Sequence, residues 1–270
     1  MVRRSRPILL TDTLLKSGAY IISRETVFTS RGNVIYGHTP ESISLQPMTP
    51  AQQKFLQRNQ LLESYLKTAE NWYRPLLEDF TKQQASGRSG TRIIGINGSQ
   101  GSGKSTLADY LCTSIAEQHD IRTVALSLDD FYLSKAERAQ LAKDIHPLLA
   151  TRGVPGTHDV DLAIATINSL VQAKSDTLIT RFDKSTDDRL APDHCEIIQG
   201  PVGLIVLEGW CMGATAQEPS ALATAINELE ALDDADAVWR TYVNNTLAVD
   251  YQRLFGLADT LLMLRAPSFD

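Results

Sequence analysis

Cysteine is scarce in this 270-residue chain: Cys112, Cys195 and Cys211 lie far apart, and no CxxC pair exists. An odd, scattered trio excludes a disulfide framework and a cysteine-based zinc site. Long apolar runs are missing too, and none approaches the roughly 20 residues of a membrane-crossing helix. Positive charge is in the minority, with 26 Lys and Arg against 32 Asp and Glu and a net charge of −6. That balance argues against a general nucleic-acid or anionic-membrane surface, so neither partner is expected. Any positive charge used on phosphates must be local. The opening MVRRSRPILL is basic, but its apolar stretch is too short for a signal peptide. The cytoplasm is the default expectation. A transit peptide stays open, because Asp12 and Glu25 are the only acids in the first thirty residues. No Ser/His/Asp or Cys/His arrangement suggests nucleophilic catalysis.

What is present is informative. Hydrophobic residues make up 43% and charged residues 21%, an ordinary globular balance. A chain of this length buries roughly 70–75% of its unfolded surface, so its core needs no staples. Residues 98–105 read GSQGSGKS, a complete G-x-x-x-x-G-K-S phosphate-binding loop. Arg92 to Ile96 before it is short and β-branched, as a buried strand should be. Ser105 to Glu117 after it spaces Leu107, Leu111 and Ile115 four apart, as a helix on a sheet should. The loop residues Gly98, Ser99, Gln100, Gly101, Ser102, Gly103, Lys104, Ser105 and Thr106 are therefore expected to cradle ATP. Glycines let successive N–H groups point at phosphate oxygens, and the following helix adds its positive end. Lys104 would reach the β- and γ-phosphates, and Ser105 would offer its hydroxyl to Mg²⁺.

Along the chain, residues 1–50 lack sustained periodicity and read as an extension of uncertain order. Residues 51–90 form a helical segment and linker. Phe55, Leu61, Leu62, Tyr65, Leu66 and Ala69 recur mostly at three and four, and Pro75 should kink or divide the helix. Residues 91–270 read as one domain built on the phosphate loop. Strands are expected at 122–127, 177–181, 203–207 and 260–264, and a helix at 160–174. Alternating strands and helices predict an α/β fold, a parallel sheet with helices on both faces. An acidic stretch, Glu228 to Asp236, reads as a solvated helix face or loop.

Ligands of such sheets bind beyond the carboxyl ends of the strands. Asp129 and Asp130 follow the second strand, and a carboxylate there suits a base for a substrate hydroxyl. Asp129 is favoured, with helix capping as the alternative role for either acid. Glu208 ends the apolar run 203–207 and suits a Mg²⁺ ligand. The run 181–189 is dense in both charges and reads as a solvated loop or, through Lys184 and Arg189, as a site for an anionic group. His158 taken alone reads as a packed or capping residue.

Together SLDDFYL (127–133), RGVPGTHD (152–159), FDKSTDDR (182–189) and VLEGW (206–210) resemble the D-glycerate 3-kinases, a P-loop kinase family related to uridine kinase and phosphoribulokinase. The resemblance spans about residues 51–270. It implies ATP plus D-glycerate giving ADP plus 3-phosphoglycerate, with Asp129 at the base position and Glu208 at the Walker-B-like acid. It also implies that His158, Asp159, Lys184 and Arg189 line the acceptor pocket. Relatives usually continue with helical sequence past this point, so the chain is expected to be truncated at its C-terminus. Two other readings stay open. One is a kinase for uridine, pantothenate or another hydroxy compound; the other is a truncated nucleotide-binding paralogue without full activity.

Overall fold

The computed structural model describes residues 20–23, 26–29, 34–36, 47–85, 90–172 and 176–265. They divide into two compact units. A sheet unit takes the described residues up to Leu126, then Pro201–Met212, then the chain from Ala258. A second unit takes Ser127–Gly200 and Gly213–Leu257. The strands, in chain order, are β1 (Tyr20–Ser23), β2 (Thr26–Thr29), β3 (Val34–Tyr36), β4 (Arg92–Gly98) and β5 (Thr123–Ser127). They continue as β6 (Thr177–Ile179), β7 (Phe182–Asp183), β8 (Asp188–Arg189), β9 (Glu196–Ile198), β10 (Leu204–Gly209) and β11 (Thr260–Leu264).

The sheet unit is built on a seven-stranded sheet of order β3-β2-β1-β11-β4-β10-β5. Its centre is parallel: β1 pairs with β11, β11 with β4, and β4 with β10. The edge pairs β1–β2 and β2–β3 are antiparallel. Sequence patterning had assigned no strand before residue 92, and residues 1–19 and 37–46 lie outside the described part. Every residue of β4 and β10 is buried, which explains their unbroken apolar composition.

Three helices cover one face of this sheet: α1 (Pro50–Asn59), α2 (Ser64–Ala85) and α3 (Lys104–His119). Their Phe55, Ala69, Phe80, Leu107, Leu111 and Ile115 close on Ile94, Ile96, Leu204, Val206, Leu262 and Leu264. Each such aliphatic or aromatic side chain contributes about 1.5–3 kcal/mol by leaving water. Thr49 and Gln52 form a reciprocal capping box that starts α1. The helical run breaks at Gln60, in a left-handed conformation, and not at Pro75, which lies inside the uninterrupted α2. Leu62, expected on the apolar face, falls in that break and is 80% exposed.

The second unit contradicts two sequence expectations. β6 does not join the main sheet; it pairs antiparallel with β9 in a two-stranded ribbon. The charged run 182–189 is a β-hairpin, with Phe182 opposite Arg189 and Asp183 opposite Asp188. The acidic stretch is solvated only in part. Glu230 and Asp234 are buried, and Asp234 accepts from the Arg240 guanidinium and from the backbone N–H groups of Trp239 and Arg240. The helix expected at 160–174 runs over Val160–Gln172, its last two residues lying outside the described part.

Candidate active site

In the sheet unit, the phosphate loop runs from the last residue of β4 into α3. Gly101 and Gly103 have φ of +76° and +87°, the left-handed region that favours glycine. At Gly98 space sets the limit: a Cβ would lie 2.5 Å from the Ser102 hydroxyl oxygen and 3.1 Å from Leu264 Cβ. The Ser102 N–H closes the loop on the Ser99 carbonyl at 3.1 Å, and Lys104 Nζ donates to that same carbonyl at 3.0 Å. Ser105 Oγ donates to Glu208 Oε1 at 2.7 Å. Glu208 lies inside β10, in register with Ile96, and is buried. Asn97, which sequence reasoning passed over, ties the end of β4 to the turn after β10 by donating to the carbonyls of Trp210 (3.1 Å) and Met212 (2.8 Å). No side chain caps α3, so its first amides remain oriented for an anion. Among the described residues no cluster of three His, Cys, Asp or Glu is present that would hold a metal by itself.

In the second unit, contacts gather on Asp129, in a single 3₁₀ turn over Leu128–Phe131. Lys184 Nζ donates to its Oδ2 at 2.6 Å, and the Tyr132 hydroxyl donates to Oδ1 at 3.1 Å. Burial raises the Asp129 carboxyl, but the Lys184 bond and charge with the Tyr132 hydroxyl outweigh it, and the net value lies below the ordinary range. Asp130 faces a different set: it accepts from the Arg181 guanidinium at 2.7 Å and from the Phe182 N–H at 3.3 Å.

His158 is buried, stacked on Tyr132 with ring centroids 4.2 Å apart, and its Nδ1 lies 2.5 Å from the Tyr251 hydroxyl. Its Nε2 has no hydrogen-bond partner. Burial pushes the imidazole down to about 3, against a smaller upward pull from the Asp129 charge, so it is neutral near pH 7. Tyr251 closes a π-helical turn, Leu247–Tyr251, and also accepts from the Gly156 N–H at 3.0 Å. Asp159 caps the following helix by accepting from the Leu162 N–H at 2.9 Å. Arg189 donates to Asp159 Oδ2 at 3.0 Å and to the Tyr132 carbonyl at 2.9 Å. Lys184 and Arg189 thus each hold a carboxylate of this chain, one at the hairpin turn and the other on β8.

The hairpin is fixed from beneath. Asp187, at φ +59°, accepts from the fully buried Arg138 at 2.7 Å and also from Arg152. Both guanidiniums lie near the Phe182 ring, at 5.6 Å from its centroid. Tyr132 and Arg152 sat within motifs read in the sequence, though no role was assigned to them. Arg138 carried no local signal.

Over 196 residues the chain is 33% identical to the uncharacterized kinase mug58 of Schizosaccharomyces pombe, covering 69% of each protein. The chain belongs to the D-glycerate 3-kinase family of P-loop kinases. It is an ATP-dependent kinase. A probable ATP-dependent kinase of Saccharomyces cerevisiae, TDA10, matches at 32% identity over 45% of this chain and 46% of that protein. The family kinase also shares its fold with a D-glycerate 3-kinase from Cryptococcus neoformans var. grubii, at TM-score 0.56 and 23% identity over 69% of each chain. No protein-family model matches the chain. No helix among the described residues is long and apolar enough to cross a membrane.

Proposed function

We propose that this kinase transfers the γ-phosphoryl group of ATP to D-glycerate, giving ADP and 3-phosphoglycerate. Gly98 to Thr106 hold the phosphates through backbone amides, and Lys104 neutralises charge on the transferring group. Ser105 and Glu208 hold Mg²⁺. Their hydroxyl and carboxylate oxygens would suit such a hard cation. Bound there, Mg²⁺ supplies further charge neutralisation on the phosphate oxygens. Asp129 takes the proton of the attacking hydroxyl. Its rival Asp130 is engaged by Arg181 and the Phe182 amide, which supports this choice.

The observation that carries the acceptor assignment is the grouping around Asp129. Lys184 bonds it, Tyr132 bonds it, His158 stacks on Tyr132, and Arg189 reaches the Tyr132 carbonyl and Asp159. A small acceptor with one carboxylate and adjacent hydroxyls matches two cations and a neutral imidazole beside a carboxylate base. A coupled ADP-release assay with Mg-ATP over D-glycerate, uridine, pantothenate and ribulose 5-phosphate tests this. Glycerate should give the highest kcat/KM, and a higher value for any other acceptor rejects the assignment.

A further inference from the structure

The two oxygens of Asp129 are held in different ways. Oδ1 receives the Tyr132 hydroxyl, and Tyr132 is 4% exposed, stacked on His158 and edge-on to Phe182 with centroids 5.3 Å apart. A bridge between the Tyr132 and His158 backbones fixes it further. That contact is part of the packed interior. Oδ2 receives Lys184, whose side chain is 60% exposed at the turn of the hairpin. An exposed ion pair is worth about 0–1 kcal/mol, so this contact exchanges readily for another of the same kind.

The rest of the turn supplies no competing carboxylate for Lys184. Asp183 accepts from the Ser185 N–H and hydroxyl, Asp187 from Arg138 and Arg152, and Asp188 from the backbone N–H groups of Lys135 and Arg189. Lys184 reaches instead across 55 residues of sequence to the very oxygen left for proton transfer.

We propose that Lys184 is a specificity gate on Asp129: its ammonium occupies Oδ2 until an anionic group of the acceptor draws it away, so the base is released only to hydroxy compounds that also carry a carboxylate or comparable anion. The proposal rests on the reading of Asp129 as the base. An acceptor carboxylate replaces the Asp129 carboxylate as the partner of the ammonium, so the exchange leaves no charge unpaired. Asp129 is left ionised and more basic, since the strongest charge lowering its pKa has gone. Its Oδ2 then takes the hydroxyl proton as that oxygen bonds to the γ-phosphorus and the bond from phosphorus to the β,γ-bridging oxygen breaks, releasing ADP. Water and neutral polyols bring no anion. They meet a base already bonded to a cation, which restrains both futile ATP hydrolysis and phosphorylation of uncharged alcohols.

The test compares wild type, K184M, K184R and D129N with three readings: ATP hydrolysis without acceptor, and turnover of D-glycerate and of glycerol, its neutral counterpart. Lys184 is exposed, so these substitutions leave the fold in place. K184M should raise acceptor-free hydrolysis and the glycerol rate about threefold to fivefold, the factor equivalent to ~0.7–1 kcal/mol at 1.36 kcal/mol per tenfold. Its kcat/KM for glycerate should fall. K184R should keep the wild-type pattern, because arginine also pairs with Asp129. Unchanged or lower hydrolysis and glycerol rates in K184M overturn the gate, whatever happens to glycerate. Should D129N turn over glycerate at the wild-type rate, the base assignment fails and the gate falls with it. An inactive D129N beside an unresponsive K184M rejects the gate alone.

Discussion

Ser105, on the first turn of α3, donates its hydroxyl to Glu208 of β10 at 2.7 Å, joining residues 103 apart in sequence. The bond brings the last turn of the phosphate loop to a carboxylate buried in the sheet. A buried carboxylate is costly unless paired, and this one accepts from a neutral hydroxyl. Replacement by Gln keeps the shape and a hydrogen bond but removes the charge. E208Q should therefore retain its fold while the Mg²⁺ concentration for half-maximal turnover rises about 10–100-fold. A Mg²⁺ titration of the ADP-release rate checks this, and an unchanged midpoint would remove Glu208 from the metal site.

Lys104 Nζ donates to the Ser99 carbonyl of its own loop at 3.0 Å. Truncation to Ala loses no buried packing and removes the charge placed for the transferring group. Turnover should fall by about 10²–10³ while the melting temperature holds. Near-normal turnover in K104A would dismiss the phosphate-loop mechanism.

Gly156 has φ +98°, and a Cβ there would lie 2.5 Å from Tyr242 Cε1 and 3.2 Å from the Thr246 hydroxyl oxygen. Strain and crowding act together at one residue that also donates to Tyr251. G156A should lose about 2–4 kcal/mol of stability by urea unfolding. A loss under 0.5 kcal/mol, the typical scatter for a plain surface site, would show that the loop relaxes freely.

How much of this was legible in the sequence depended on distance along the chain. GSQGSGKS declares itself because a phosphate cradle is made of local backbone, and Glu208 because a charge at the end of an apolar run stands out. Asp129 was already favoured over Asp130 in the sequence; what only space shows is their different partners, Lys184 and Tyr132 against Arg181 and Phe182. The hairpin at 182–189 was hidden because its stabilising partners, Arg138 and Arg152, lie in other segments. Strands β1 to β3 have only three or four residues each, too few to display a period of two. The π turn that delivers Tyr251 to His158 has no residue signature.

The buried imidazole predicts a specific acid response. Folded His158 takes its proton near 3, whereas an unfolded histidine takes one near 6.5. Between those values the unfolded chain binds the extra proton, so stability present above pH 6.5 is lost as the pH falls. The His158 share of that slope is about 1.4 kcal/mol per pH unit. H158Q should be less stable at pH 7 but lose less on going from pH 6.5 to 5. Urea midpoints across that range report the difference, and parallel curves for the two proteins would contradict the burial argument.

Phosphorus NMR of the product tests the proposed reaction most directly. Incubated with Mg-ATP and D-glycerate, the kinase should convert the γ-phosphate resonance into a phosphomonoester coupled to the C3 methylene protons of glycerate, and K104A and D129N should leave ATP intact. Loss of ATP to inorganic phosphate with no ester, or an ester coupled to the C2 proton, would contradict it.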